Sequence, residues 1–269
     1  MDNRAIGVFD SGLGGLTAVR QLQSILPAEN IIYFGDTSRV PYGGRSRETL
    51  LKFARQDVRF MRSFDIKAIL IACGTVSTNA LPTLRAEHDL PILGVVEPAC
   101  RRAVEVTKRG RVGMIATAAS VRSGAYAETI RRLDGGVEVL SKACPLFVPL
   151  VENGRYRPGD TVVETVAREY LEPLKDAGID VLILGCTHYP LLTEVIARVM
   201  GPEVTLIDTG AESAHALRAE LEAHGALAEE RTGTAAYYVS DQPEGFGALA
   251  GQFLCRPVPE VREVDIERY

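Results

Sequence analysis

Two short apolar runs in this chain end in a cysteine, and the two segments look like copies of one another. Ala68-Ile69-Leu70-Ile71-Ala72 leads into Cys73-Gly74-Thr75, and Val181-Leu182-Ile183-Leu184-Gly185 leads into Cys186-Thr187-His188. Unbroken apolar runs of this length, bounded by small residues, predict strands buried on both faces, as in parallel sheets. Each thiol then sits at the carboxyl end of its strand, where open α/β sheets bind ligands and do chemistry.

The rest of the chain agrees with that class. Candidate strands at 5–9, 30–34, 67–72, 91–95, 111–116, 137–141, 179–184, 204–207 and 235–240 alternate with helical patterns. One such pattern runs from Ser46 to Phe64, with Leu50, Leu51, Ala54, Val58 and Met61 at three-to-four spacing. Strands alternating with helices predict parallel sheets joined by right-handed crossovers. Ile6-Gly7-Val8-Phe9-Asp10-Ser11 also resembles Val112-Gly113-Met114-Ile115-Ala116-Thr117, at an offset close to that between the two cysteines. Two similar α/β halves are therefore expected, each giving one thiol to a shared cleft. Pro82 and Pro190 suit the first turns of the helices that follow the cysteines, and helix N-termini so placed favour thiolate.

Composition excludes several classes. At 269 residues with 46% hydrophobic and 24% charged residues, the chain reads as globular and large enough for one or two domains. Its apolar runs are strand-sized, and Met1-Asp2-Asn3-Arg4 leads straight into the first of them, so neither a leader nor a membrane helix is expected and the default compartment is the cytoplasm. An odd number of cysteines, five, without a C-x-x-C pair fits reduced thiols. A net charge of −5 lacks the basic footprint of a nucleic-acid binder. Lys52, Lys67, Lys108, Lys142 and Lys175 lie away from any glycine-rich loop, against a Schiff-base cofactor.

A thiolate on one face of a carbon and a thiol on the other can remove a proton and return one with inverted configuration. Ionising a cysteine of ordinary pKa near neutrality costs about 2 kcal/mol. Helix ends can supply that, as can His188, two residues beyond Cys186, or Asp10-Ser11 at the end of the first strand. This is the logic of racemisation without a cofactor.

The stretches GVFDSGLGGLT at 7–17, GDTSRVPYG at 35–43, ACGTVST at 72–78, PLVENG at 149–154 and GCTHYPLL at 185–192 closely resemble the glutamate racemases of the aspartate/glutamate racemase superfamily, in matching order over nearly the whole chain. The resemblance implies an α/β fold of two pseudo-symmetric domains, here placed at 1–96 with 209–269 and at 97–208, with the site between them. It implies interconversion of L- and D-glutamate by two bases, without cofactor or metal, for cell-wall peptidoglycan, in a homodimer. Carried over by position, Cys73 acts on D-glutamate and Cys186 on L-glutamate; Asp10 supports the first thiol and His188 the second. Asp36 and Glu152 are further acids of the site. Ser11, Pro41, Tyr42, Gly43, Gly74, Thr75, Thr117 and Thr187, with Asp10 and His188, match substrate-binding positions. Where the family usually has Asn, this chain has Gly74, which removes a side-chain contact; Gly74→Asn is expected to change KM more than kcat.

Plainer readings stand beside these. Cys100, Cys144 and Cys255 read as small hydrophobes, and His88, His215 and His224 as solvated. Asp36 can equally order the 35–45 loop, and the glycines of 12–15 can serve a ligand or merely a tight turn. Two other functions compete: a superfamily racemase for aspartate, a hydantoin or a related carboxylate, and a two-lobed binding module without chemistry.

Overall fold

The computed structural model describes residues 1–229, 233–258 and 260–269. All nine expected strands are present: β1 (Ala5–Asp10), β2 (Ile31–Gly35), β3 (Ile66–Ile71), β4 (Ile92–Gly94), β5 (Arg111–Ala116), β6 (Glu138–Ala143), β7 (Val181–Leu184), β8 (Thr205–Asp208) and β9 (Ala235–Val239). A tenth, β10 (Val261–Glu263), was not anticipated. Its three residues carry no apolar pattern, and it exists by pairing with β9 at the sheet edge.

The strands form two sheets, both wholly parallel. One has the order β10-β9-β2-β1-β3-β4, the other β6-β5-β7-β8. The run β2-β1-β3-β4 in the first repeats as β6-β5-β7-β8 in the second, so the internal resemblance in sequence is a resemblance in topology. In each run the chain steps from the central strand to one side and then to the other. The crevice between β1 and β3, and that between β5 and β7, are therefore the switch points at which such sheets bind ligands. β1, β3 and β7 are buried throughout, as both-face burial requires.

Helices cover the faces. Arg47–Met61 occupies most of the expected 46–64 span and is capped by Ser46, whose hydroxyl accepts from the Thr49 N–H. One apolar core runs from Leu16, Val19 and Leu22 beneath β1 across to Phe147, Leu171 and Tyr189 beneath β7, so the two sheets share buried packing. Among the described residues no helix is long and apolar enough to cross a membrane.

The prolines after the two thiols do not open the helices expected of them. The helix that begins after Cys73 is Gly74–Asn79, and Pro82 lies in the first turn of the next helix, Leu81–Glu87. Pro190 opens a short 3-10 turn, Tyr189–Leu192, rather than an α-helix.

Candidate active site

The carboxyl ends of the two central crevices face one another, and between them lies a cavity of about 550 Å³. Cys73 stands at the residue preceding the helix Gly74–Asn79, at the end of β3, without a side-chain capping bond; Cys186 follows β7. Both are buried and both line this cavity. Ser11, Pro41, Tyr42, Gly43, Gly74, Thr75, Thr117, Glu152, Thr187 and His188 line it as well, so the structure gathers residues from five separated motifs into one place.

The two lobes meet across it through short contacts. Thr75 Oγ1 lies 3.0 Å from Thr117 Oγ1, and the Ala119 N–H donates to the Gly43 carbonyl at 3.1 Å. Thr17 donates to the Thr187 carbonyl at 2.9 Å. The Gly14 and Gly15 turn also has an unexpected purpose. A Cβ on Gly14 would stand 2.1 Å from Thr187 Oγ1, and one on Gly15 2.4 Å from Asp10 Cβ. Gly14 thus lets the first lobe's turn approach the other lobe's thiol loop, Gly15 lets it fold back over Asp10, and Gly12 of the same stretch lines the cavity.

Around Cys73, the thiol donates to Ser11 Oγ at 3.6 Å. Burial, reinforced by the negative charge of Asp10, pushes this thiol up to about 12. That reverses the expectation of a helix-stabilised thiolate: loss of hydration outweighs a six-residue helix end. Asp10 does not line the cavity. It lies behind, its carboxyl group accepting from the Gly12 N–H at 3.0 Å and from the Thr187 hydroxyl at 3.4 Å, and burial raises its pKa against the pull of His188 and those donors.

Around Cys186 the electrostatics are opposite. His188 is buried, which favours neutral imidazole, but hydrogen bonding to Cys186 and Glu152 prevails and pushes it up to about 10. Its Nε2 is 3.0 Å from Glu152 Oε1, and its ring stands edge-on to Phe253 at 5.4 Å. One side of the cavity thus sets Cys73 beside a buried acid, which opposes its ionisation, and the other sets Cys186 beside an imidazolium.

Asp36 also falls outside the cavity lining. Its fully buried carboxylate accepts from Arg39, Ser240 and the Tyr42 hydroxyl. Conversely, Cys144, read from sequence as packing only, is buried yet lines the cavity, together with Gly12, Val40, Gly44, Ala118, Pro145, Val148, Pro149 and Gly185. Gly12, Val40, Pro149 and Gly185 lie inside the motifs quoted above; all of these residues but Cys144 are small or apolar and carry no chemical signal in sequence. All five cysteines are free thiols. His215 and His224 are exposed and His88 half-buried beside Arg62, all apart from the cavity.

A model of the Asp/Glu/hydantoin racemase family matches residues 6–217. The chain belongs to this racemase family. Within it the chain sits among the glutamate racemases. That of Geobacter metallireducens is 45% identical over 266 residues, 98% of this chain and 97% of its own. Among solved structures, a Bacillus anthracis glutamate racemase isoform superposes with a TM-score of 0.94 at 37% identity, covering 98% of each chain. The Francisella tularensis glutamate racemase, solved with D-glutamate, superposes at 0.92 with 40% identity over the full length of both. The family's two-lobed architecture is the one described above.

Proposed function

We propose that this racemase interconverts L- and D-glutamate by a two-base mechanism that needs no cofactor, supplying D-glutamate for peptidoglycan. The observation that carries this reading is the placement of Cys73 and Cys186 on one cavity at equivalent switch points of two like sheets. A binding module has no need of paired thiols there.

In the L-to-D direction the Cys186 thiolate, paired with the His188 imidazolium, takes the α-proton. The electron pair moves into the substrate carboxylate, and the Cys73 thiol gives its proton to the opposite face. The D-to-L direction needs Cys73 ionised, with Asp10 behind Ser11 and Thr187 as its relay. Glu152 holds His188 in its charged form. The hydroxyls of Ser11, Thr75, Thr117 and Thr187, and the main chain of Pro41, Tyr42 and Gly43, are the groups available to the substrate's carboxylates and ammonium. Bound D-glutamate in the Francisella relative supports the same ligand here. The division into domains at 1–96 with 209–269 and at 97–208, a homodimeric assembly and a cytoplasmic location belong to the same proposal.

Incubation with L-glutamate in deuterated water, with no additive, tests it. The expected product is D-glutamate carrying deuterium at the α-carbon. Inversion of aspartate with glutamate untouched would overturn the substrate assignment, and binding without exchange would overturn the chemistry.

A further inference from the structure

Five consecutive residues, Val40 to Gly44, form one wall of the cavity, and Gly43 in that wall accepts the Ala119 N–H of the opposite lobe. What holds the wall in place lies behind it. Tyr42 donates its hydroxyl to Asp36, and the same Asp36 oxygen accepts the Arg39 Nε at 2.5 Å. Arg39 spends its other nitrogens on Gln56 Oε1 at 2.5 Å and Asp57 Oδ1 at 3.0 Å, while its guanidinium lies 4.3 Å over the Phe53 ring. Phe53 in turn packs on Tyr42 at 5.4 Å. Every side chain of the wall's support thus converges on one guanidinium.

The charges in this cluster do not balance if all groups carry their usual states. Asp36 and Asp57 are both completely buried, and Arg39 is only 9% exposed. Glu267, the other acid near Arg39 at 3.6 Å, is 65% exposed and solvated. Two buried carboxylates therefore share one cation. Asp57 Oδ2 is buried without a hydrogen-bond partner, which costs a bare anion far more than a neutral carboxyl group.

We propose that Arg39 and Asp57 are positioning residues that hold the Val40–Gly44 wall against the opposite lobe, with Asp57 serving as a neutral acid. Burial first, then the charge of Asp36, raises Asp57 well above the carboxylate range, in the same sense. The inference rests on the glutamate reading of the cavity. It adds that substrate affinity is set partly by a cluster that touches no substrate.

Steady-state kinetics on Arg39→Lys, Asp57→Asn and Phe53→Leu test it, each with a thermal melt, against the parent enzyme. Lysine keeps the charge but cannot serve Asp36, Gln56 and Asp57 together. Arg39→Lys is expected to raise KM for both enantiomers tenfold or more with kcat within about threefold, and Phe53→Leu to shift KM in the same sense. Asp57→Asn, the nearest mimic of a neutral acid, is expected to stay within about threefold of the parent. An unchanged KM in Arg39→Lys overturns the positioning role; if that variant does not fold, Phe53→Leu decides the point by the same criterion. Asp57→Asn as damaging as Arg39→Lys overturns the neutral state. A parent that does not racemise glutamate sinks the underlying reading instead, which separates the two failures.

Discussion

At the scale of single residues, the two thiols do not start alike. With Cys73 pushed up to about 12, ionising it at pH 7 in the free cleft costs roughly 7 kcal/mol. The substrate's ammonium, arriving in the same cavity, is the natural source of the compensating charge. Removing either thiol should therefore abolish racemisation while leaving half-reactions intact. Cys73→Ala should still eliminate a leaving group from an analogue of L configuration, and Cys186→Ala from its D counterpart; near-parental racemisation by either variant would show that its thiol is not an obligatory base. Gly74 is the place where geometry revises an expectation. A Cβ there would stand 2.5 Å from the Gly185 carbonyl oxygen, the residue just before Cys186. A side chain at 74 thus presses on the segment carrying the other thiol. Gly74→Asn and Gly74→Ala should both lower kcat, by up to about a hundredfold for an ångström of displacement, rather than act mainly on KM. A pure KM effect in Gly74→Asn, with Gly74→Ala silent, would restore the simpler idea of a missing hydrogen bond.

At the scale of elements, strand ends and the turns beyond them do the work. Gly14→Ala should cost most of the activity and several degrees of melting temperature, because the methyl would collide with Thr187 and His188; parental kinetics there would show that the turn yields freely. The His188 pair has a pH signature of defined sign. Its folded pKa, about 10, is above the ordinary imidazole value, so its contribution to stability is complete below about 6.5 and is lost as pH rises through about 10. Melting temperatures of the parent should fall between pH 6 and pH 10 by more than those of His188→Asn; equal falls would remove the imidazolium from the account. Elements were also where sequence was most readable. Continuous apolar runs mark β1, β3 and β7, because burial on both faces leaves no choice of residue, whereas β6, with no buried residue, is legible only from its place between two helical patterns. β10 left no such trace, its Val-Arg-Glu being strand only because β9 offers an edge. Pro82 misled because a short helix intervenes after Cys73.

At the scale of the whole molecule, motifs scattered from residue 10 to residue 188 predicted which side chains meet, and most do. What they could not convey is hydration. Cys73 and Cys144 are buried while lining a cavity, and Asp10 and Asp36 are held just behind one; those distinctions depend on packing from both lobes at once. Because the two amino acids interconverted are enantiomers with an equilibrium constant of one, kcat/KM for the two directions must be equal at every pH, however unlike the thiols are. The asymmetry between Cys73 and Cys186 should therefore appear in kcat and KM together, which differ between L- and D-glutamate by the same factor and carry different pH profiles. Identical profiles in both directions would mean that substrate binding erases the difference seen in the free cleft.

The strand order also bears on how the protein is made. The four strands of the smaller sheet are contiguous in the chain, whereas β2 in the larger sheet waits for β9 and β10, which follow the whole of the smaller sheet. During translation β2 must emerge with one edge bare and remain so while the entire second sheet is produced. Nascent chains arrested after β8 should resist protease across residues 111–208 and be cut readily near β2. The sheet whose first strands emerge before the other's is the one completed after it.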